Sequence, residues 1–232
     1  MTPAVTDDPG KPIGTLARSW FALTALAAMI GVTLSVVVAI GNEAGFFDTP
    51  VERALNVFAF FTIQSNLVVG IITAMLAGGA RGSSLAFRVF RLTGIVAIAI
   101  TFVVFHTVLS GEELVGTAFV SDLHVHTIVP FLAVGGWLLF GPHERTSGRV
   151  VAWSLAFPVT WGAFTLVRGA VVGFYPYPFI DVTANGGVRV ARNCLLVAVL
   201  YLAVAIACAA LDHWLSPHAE APPAVPARRL DG

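Results

Sequence analysis

The sequence predicts an all-α, polytopic membrane bundle of six transmembrane helices with both termini cytoplasmic, and three observations carry that expectation. Hydrophobic residues fill 57% of the 232 positions and charged residues 11%, with a mean hydropathy of +0.85, far above the composition of a soluble domain. Apolar runs of about 20 residues, the length that crosses a bilayer as a helix, recur between charged or Gly/Pro-rich breaks. Nine of the 13 Lys and Arg residues fall in alternate loops and ends, and cytoplasmic loops retain positive charge.

The first run, 17–41, has Lys11 and Arg18 at its start. It follows the acidic Asp7-Asp8 pair, is too long for a secretory apolar region and lacks a small-residue cleavage site, so it is expected to stay attached. The second, 53–78, lies between the acidic Glu43, Asp48 and Glu52 and the basic Arg81, Arg88 and Arg91. The third, 90–110, leads to Glu112, Glu113 and Asp122, and the fourth, 123–140, to Arg145 and Arg149. The fifth, 150–173, ends at the loop FYPYPFIDVTANGG (174–187), whose two prolines, Gly pair and four aromatics suit a turn at the membrane interface. The sixth covers 190–214, and the Pro-rich tail with Arg228 and Arg229 follows. The expected organisation is a cytoplasmic segment 1–16, a membrane domain 17–214 and a disordered cytoplasmic tail 215–232.

This reading leaves no room for a soluble domain of useful size. The net charge of zero argues against nucleic acid as a partner. Cys194 and Cys208 lie too far apart along the last span to bridge each other. Oligomeric state stays open, and membrane lipids are the expected surroundings.

Hydrocarbon penalises unpaired polar groups, so the stretch FFTIQSN at 60–66 stands out. On a helix Thr62, Ser65 and Asn66 share one face, while Gln64 points elsewhere. The stripe is expected to face the bundle interior. With a rise of about 1.5 Å per residue, a continuous second span puts Thr62 roughly 13–15 Å from its outer end. His106, His124, His126, Arg168 and Asn193 lie nearer the outer ends of their spans, whereas the inner halves are almost purely aliphatic. That asymmetry predicts a polar pocket opening to the outer face beneath the 174–187 loop.

Each residue also has a plainer use. A membrane Thr commonly bonds a carbonyl one turn back, and Ser or Asn often joins helices. Three such groups on one stripe exceed what a single helix contact needs. His124 and His126 point to different sides of a helix, and His126 has the better claim, because Asp122 one turn earlier can fix its tautomer. Pro130, next on that face, frees a backbone carbonyl. His106 fits a pocket wall, a second proton carrier or the core. Arg168 needs either an acidic partner at the outer rim or an anionic substrate group.

Three mechanisms are open to this set. Thr62 with His126 as base, and Ser65, Asn66 or Asn193 donating to an oxyanion, would transfer an acyl group. A metal or haem site on the three histidines is disfavoured by their divergence and by the absence of CxxC or HExxH; no metal or cofactor is expected. A transport or binding protein for a small or lipid ligand is the non-enzymatic alternative, although paired broken helices are not evident.

FFTIQSN, VHTIVPF at 125–131 and YPYPF at 175–179 together resemble the bacterial six-span relatives of the androgen-induced-gene/ADTRP membrane protein family, over about residues 20–212. The resemblance implies an intramembrane threonine hydrolase, since the animal members cleave fatty acid esters of hydroxy fatty acids with one Thr and one His. Matched by motif, the nucleophile becomes Thr62 and the base His126, acting on a lipid ester in the bacterial plasma membrane.

Overall fold

The computed structural model describes residues 13–216 apart from 81, 83, 110 and 112. Most of the expected 1–16 segment, nearly all of the 215–232 tail, and Lys11, Arg81, Glu112, Arg228 and Arg229 lie outside the described residues. The fold is all-helical, with no strand among the described residues. In chain order it runs α1 (Thr15–Gly41), a short α2 (Pro50–Val57), α3 (Phe61–Ala77), and α4 (Leu85–Val104) prolonged by a π-helical turn, Phe105–Leu109. Next, α5 (Gly116–Leu123) continues through a second π turn, His124–Ile128, into α6 (Val129–Phe140). Then come α7 (Gly148–Ser154) with α8 (Ala156–Val172), a 3-10 turn (Pro178–Ile180), α9 (Val182–Asn185) and α10 (Gly187–Leu215). Five continuous stretches are long and apolar enough to cross a membrane, as fits an integral membrane protein: α1, α4 with its π turn, α5–α6, α7–α8 and α10.

The single helix expected over 53–78 is instead broken, with α2 and α3 meeting at 64°. Thr49 and Pro50 start α2 through a reciprocal capping box with Glu52, and the helix closes after two turns. Phe60 then takes an extended conformation (φ −75°, ψ 134°) and a new helix begins at Phe61. Carbonyls freed at the break find side-chain donors: Gln64 Nε2 reaches Phe58 O (3.0 Å) and Trp161 Nε1 reaches Ala59 O (3.0 Å). Thr62 therefore sits in the first turn of α3, and a depth counted along one continuous helix does not apply.

The fourth span also departs from expectation by starting at Gly116 rather than 123, which puts His124 and His126 well inside it. Pro130 has no N–H for the His126 carbonyl one turn back, and the ladder widens there, with Val129 N bonding His124 O. This π turn packs tightly on α1. A Cβ on Gly31 would lie 2.9 Å from Val125 Cγ1, and a Cβ on Gly70 3.3 Å from the Ala28 methyl, so small residues set the α1 contacts on both sides.

Polar side chains are not confined to the ends of the helices where Thr62 and His126 lie, which corrects the sequence expectation. On α10, Asp212 is 2% exposed; it accepts from Thr146 N and Oγ1 (2.8 Å each) and lies 3.3 Å from His143 Nδ1. Nearby, Arg91 Nη2 lies 3.7 Å from Glu144 Oε2 and Arg88 Nη2 donates to the Glu144 carbonyl (2.9 Å). This network pins the 141–147 connection to the ends of α4 and α10. Replacing Asp212 with Ala strands the Thr146 donors, and is expected to cost about 3 kcal/mol of stability. The thermal midpoint in detergent should fall for Asp212→Ala and recover partly in Asp212→Asn.

Candidate active site

A helix begun at Phe61 leaves the N–H groups of its first turn without carbonyl partners. Thr62 N is paired instead with the hydroxyl of Tyr177 (3.1 Å), from the loop before the 3-10 turn. Thr62 Oγ1 lies 3.2 Å from that same hydroxyl and 3.3 Å from His126 Nε2. Both Thr62 and Tyr177 are 7% exposed.

The imidazole is held on two sides. His126 Nδ1 lies 2.8 Å from Asp122 Oδ1, and the ring stacks on Phe105 from the π turn of α4, with centroids 3.8 Å apart and planes 7° from parallel. A carboxylate can only accept, so the neutral ring carries its proton on Nδ1 and turns the Nε2 lone pair to Thr62. The hydrogen bonds then run in one direction: Tyr177 O–H to Thr62 Oγ1, Thr62 O–H to His126 Nε2, and His126 Nδ1–H to Asp122. Burial pushes the Tyr177 phenol above its ordinary pKa and keeps it a donor at neutral pH.

The other expected site residues are used elsewhere. Ser65 donates to Phe61 O (2.7 Å), and Asn66 Nδ2 donates to Thr62 O (2.8 Å) and to Val125 O (3.1 Å), tying α3 to the π turn that carries His126. Asn193 Nδ2 donates to Phe179 O (2.7 Å), bracing the loop that supplies Tyr177. None of the three lines the cavity at Thr62, which corrects the expectation that one would serve an oxyanion: each amide or hydroxyl already serves a backbone carbonyl. His106 Nε2 lies 3.2 Å from Thr127 Oγ1, and His124 Nδ1 lies 2.8 Å from Val120 O; neither faces Thr62. Among the described residues Arg168 forms no ion pair with an acidic side chain. Its Nη2 donates to Asn56 Oδ1 (2.9 Å) and its guanidinium lies over Phe47 and Phe174, 5.6 and 5.9 Å from the ring centroids. Among the described residues no three His, Cys, Asp or Glu side chains gather as metal ligands.

Two cavities meet at Thr62. One, of about 570 Å³, is partly polar and is walled by Ser35, Asn42, Asn56, Ser121, Asp122 and His126 among aromatic side chains. The other, of about 390 Å³, is almost entirely apolar and runs between α4, α8 and α10. Thr62, Tyr177 and Leu109 border both.

Sequence reasoning missed Tyr177 and Phe105. Tyr177 was visible in YPYPF but reads there as one of four interfacial aromatics; only its contact with a residue 115 positions away gives it another use. No protein-family model matches the chain, and no curated protein or solved structure matches it.

Proposed function

We propose that the protein is an intramembrane esterase with Thr62 as nucleophile and His126 as base, acting on a lipid ester in the bacterial plasma membrane. The proposal takes α2 and α3 as one broken span, giving six spans with both ends cytoplasmic, in line with the loop charges. It also keeps the kinship implied by FFTIQSN, VHTIVPF and YPYPF.

The observation that carries the reading is the 3.3 Å separation of Thr62 Oγ1 and His126 Nε2, with Asp122 on the far nitrogen. A free Thr hydroxyl is a weak nucleophile, and an adjacent neutral imidazole is the group that activates it. Thr62 Oγ attacks the ester carbonyl carbon while its proton passes to Nε2, and Asp122 stabilises the imidazolium. Tyr177 O–H is the nearest donor for the oxyanion that forms. Collapse breaks the bond to the alcohol oxygen, which takes the proton from His126 and leaves. Water reaching the acyl-threonine then gives a proton to His126 and its oxygen to the carbonyl carbon. The Thr62 ester breaks, the carboxylic acid departs and the Thr62 hydroxyl is restored.

The test is covalent labelling of the purified protein by a fluorophosphonate probe. Wild type should be labelled, and Thr62→Ala and His126→Ala should each abolish the label with elution profile and melting unchanged. Labelling that survives both substitutions overturns the threonine mechanism, and absence of labelling in the wild type favours a binding or transport role for the pocket.

A further inference from the structure

The apolar cavity beyond Thr62 takes no part in the proton transfers, and its shape calls for its own explanation. Its wall is made of groups such as Ile100, Val104, Leu166 and Val197. The indole N–H of Trp161, which also lines it, is committed to Ala59 O. Away from Thr62, Tyr177 and Thr101 this lining offers water few of the polar partners it needs. Its lining residues Val159, Ala163 and Ala198 are also exposed on the outside of α8 and α10, with Val159 62% exposed. The cavity therefore opens at the surface of two helices long and apolar enough to span a membrane, the surface that faces lipid tails. α8 meets α10 through few residues, and the small Gly162, Ala163 and Ala198 border the gap. A Cβ added to Gly162 would meet nothing within 4 Å.

We infer that this cavity is an acyl-chain channel, open to the bilayer between α8 and α10, which seats one hydrocarbon chain with its carbonyl at Thr62. The polar cavity on the other side of Thr62 takes the alcohol. The substrate class is then an ester of one unbranched acyl chain with a polar alcohol, the chain arriving sideways from the membrane and the alcohol leaving toward water. Among the described residues the two compartments share Thr62, Tyr177 and Leu109, which is where the scissile bond has to lie. A chain moving from lipid tails into such a channel gains little from dehydration, so the channel selects by fit. Filling it should reverse chain preference rather than scale every rate. Catalysis in this picture rests on the esterase reading, but occupation of the channel does not.

The experiment is photocrosslinking with a diazirine-bearing dodecanoic acid in nanodiscs, mapped by peptide mass spectrometry. Crosslinks are expected on the channel-lining positions Val104, Leu166 and Val197, competed by excess dodecanoate and not by acetate. They should be lost in Gly162→Trp and in Ala198→Phe, two independent ways of filling the gap. The same variants should lower the ratio of dodecanoyl-ester to acetyl-ester turnover by at least about tenfold. Crosslinks confined to outward positions such as Val171 and Leu196, or channel crosslinks that dodecanoate does not compete, overturn the channel. Competed channel crosslinks without turnover of any ester would uphold the channel and overturn the esterase. Ester turnover without channel crosslinks would do the reverse.

Discussion

Thr62→Ala is expected to lower lipid-ester turnover by at least about 10⁴-fold, the scale seen when the nucleophile of a hydrolytic triad is removed. The substitution deletes the proposed attacking oxygen and little else. Tyr177 still accepts from the backbone N–H of residue 62, because that bond does not involve the side chain. His126 keeps Asp122 and the Phe105 ring. Loss of activity should thus come without loss of fold, read as an unchanged melting curve beside an absent rate. Thr62→Ser supplies the discriminating control. It restores an oxygen at the same distance from Nε2, and turnover should return to within about tenfold of wild type. A structural role for the Thr methyl predicts instead that Ala and Ser are impaired alike, since both lack it.

The second large effect is expected at Asp122. Its carboxylate accepts from Nδ1 and thereby leaves Nε2 unprotonated beside Thr62. An amide at this position can donate to Nδ1, which moves the ring proton to Nε2 and turns the base into a donor. By analogy with the same change in a Ser-His-Asp triad, Asp122→Asn should reduce kcat by about 10⁴-fold with KM nearly unchanged. Fluorophosphonate labelling should slow in parallel, since it depends on the same activated hydroxyl. If Asp122 only anchors the helix, Asp122→Asn should leave both rates near wild type.

The part of this arrangement visible in the sequence is the part encoded locally. Apolar runs of bilayer length locate most of the spanning helices, because length and hydropathy are what the membrane selects. His126 and Asp122 are one helical turn apart, and Thr62 belongs to a polar stripe in an apolar run, so spacing alone singles them out. The break at 58–60 is different. Phe58, Ala59 and Phe60 are apolar whether the chain continues or turns, and the donors that satisfy the freed carbonyls come from Gln64 and from distant Trp161. For a related reason the sequence does not show which partners Ser65, Asn66, Asn193 and Arg168 take. A polar side chain that satisfies a backbone carbonyl, or another side chain's oxygen, has the same letter as one that faces a pocket. Tyr177 is not singled out by the sequence because its hydroxyl meets Thr62 only through a contact across the fold. The Asp212 network is hidden likewise, since its partners His143 and Thr146 lie in a connection whose path the sequence does not specify.

The most direct test of the central claim is to trap the acyl-enzyme. The purified protein in nanodiscs would be mixed with a slowly turned-over dodecanoyl ester, quenched in acid within the first turnover and digested for mass spectrometry. The account predicts a peptide containing Thr62 heavier by one dodecanoyl group, with fragmentation placing the mass on residue 62, and no such peptide from His126→Ala. Hydrolysis that proceeds while the acyl group is found on another residue, or on none under conditions that trap a control acyl-enzyme, would contradict it.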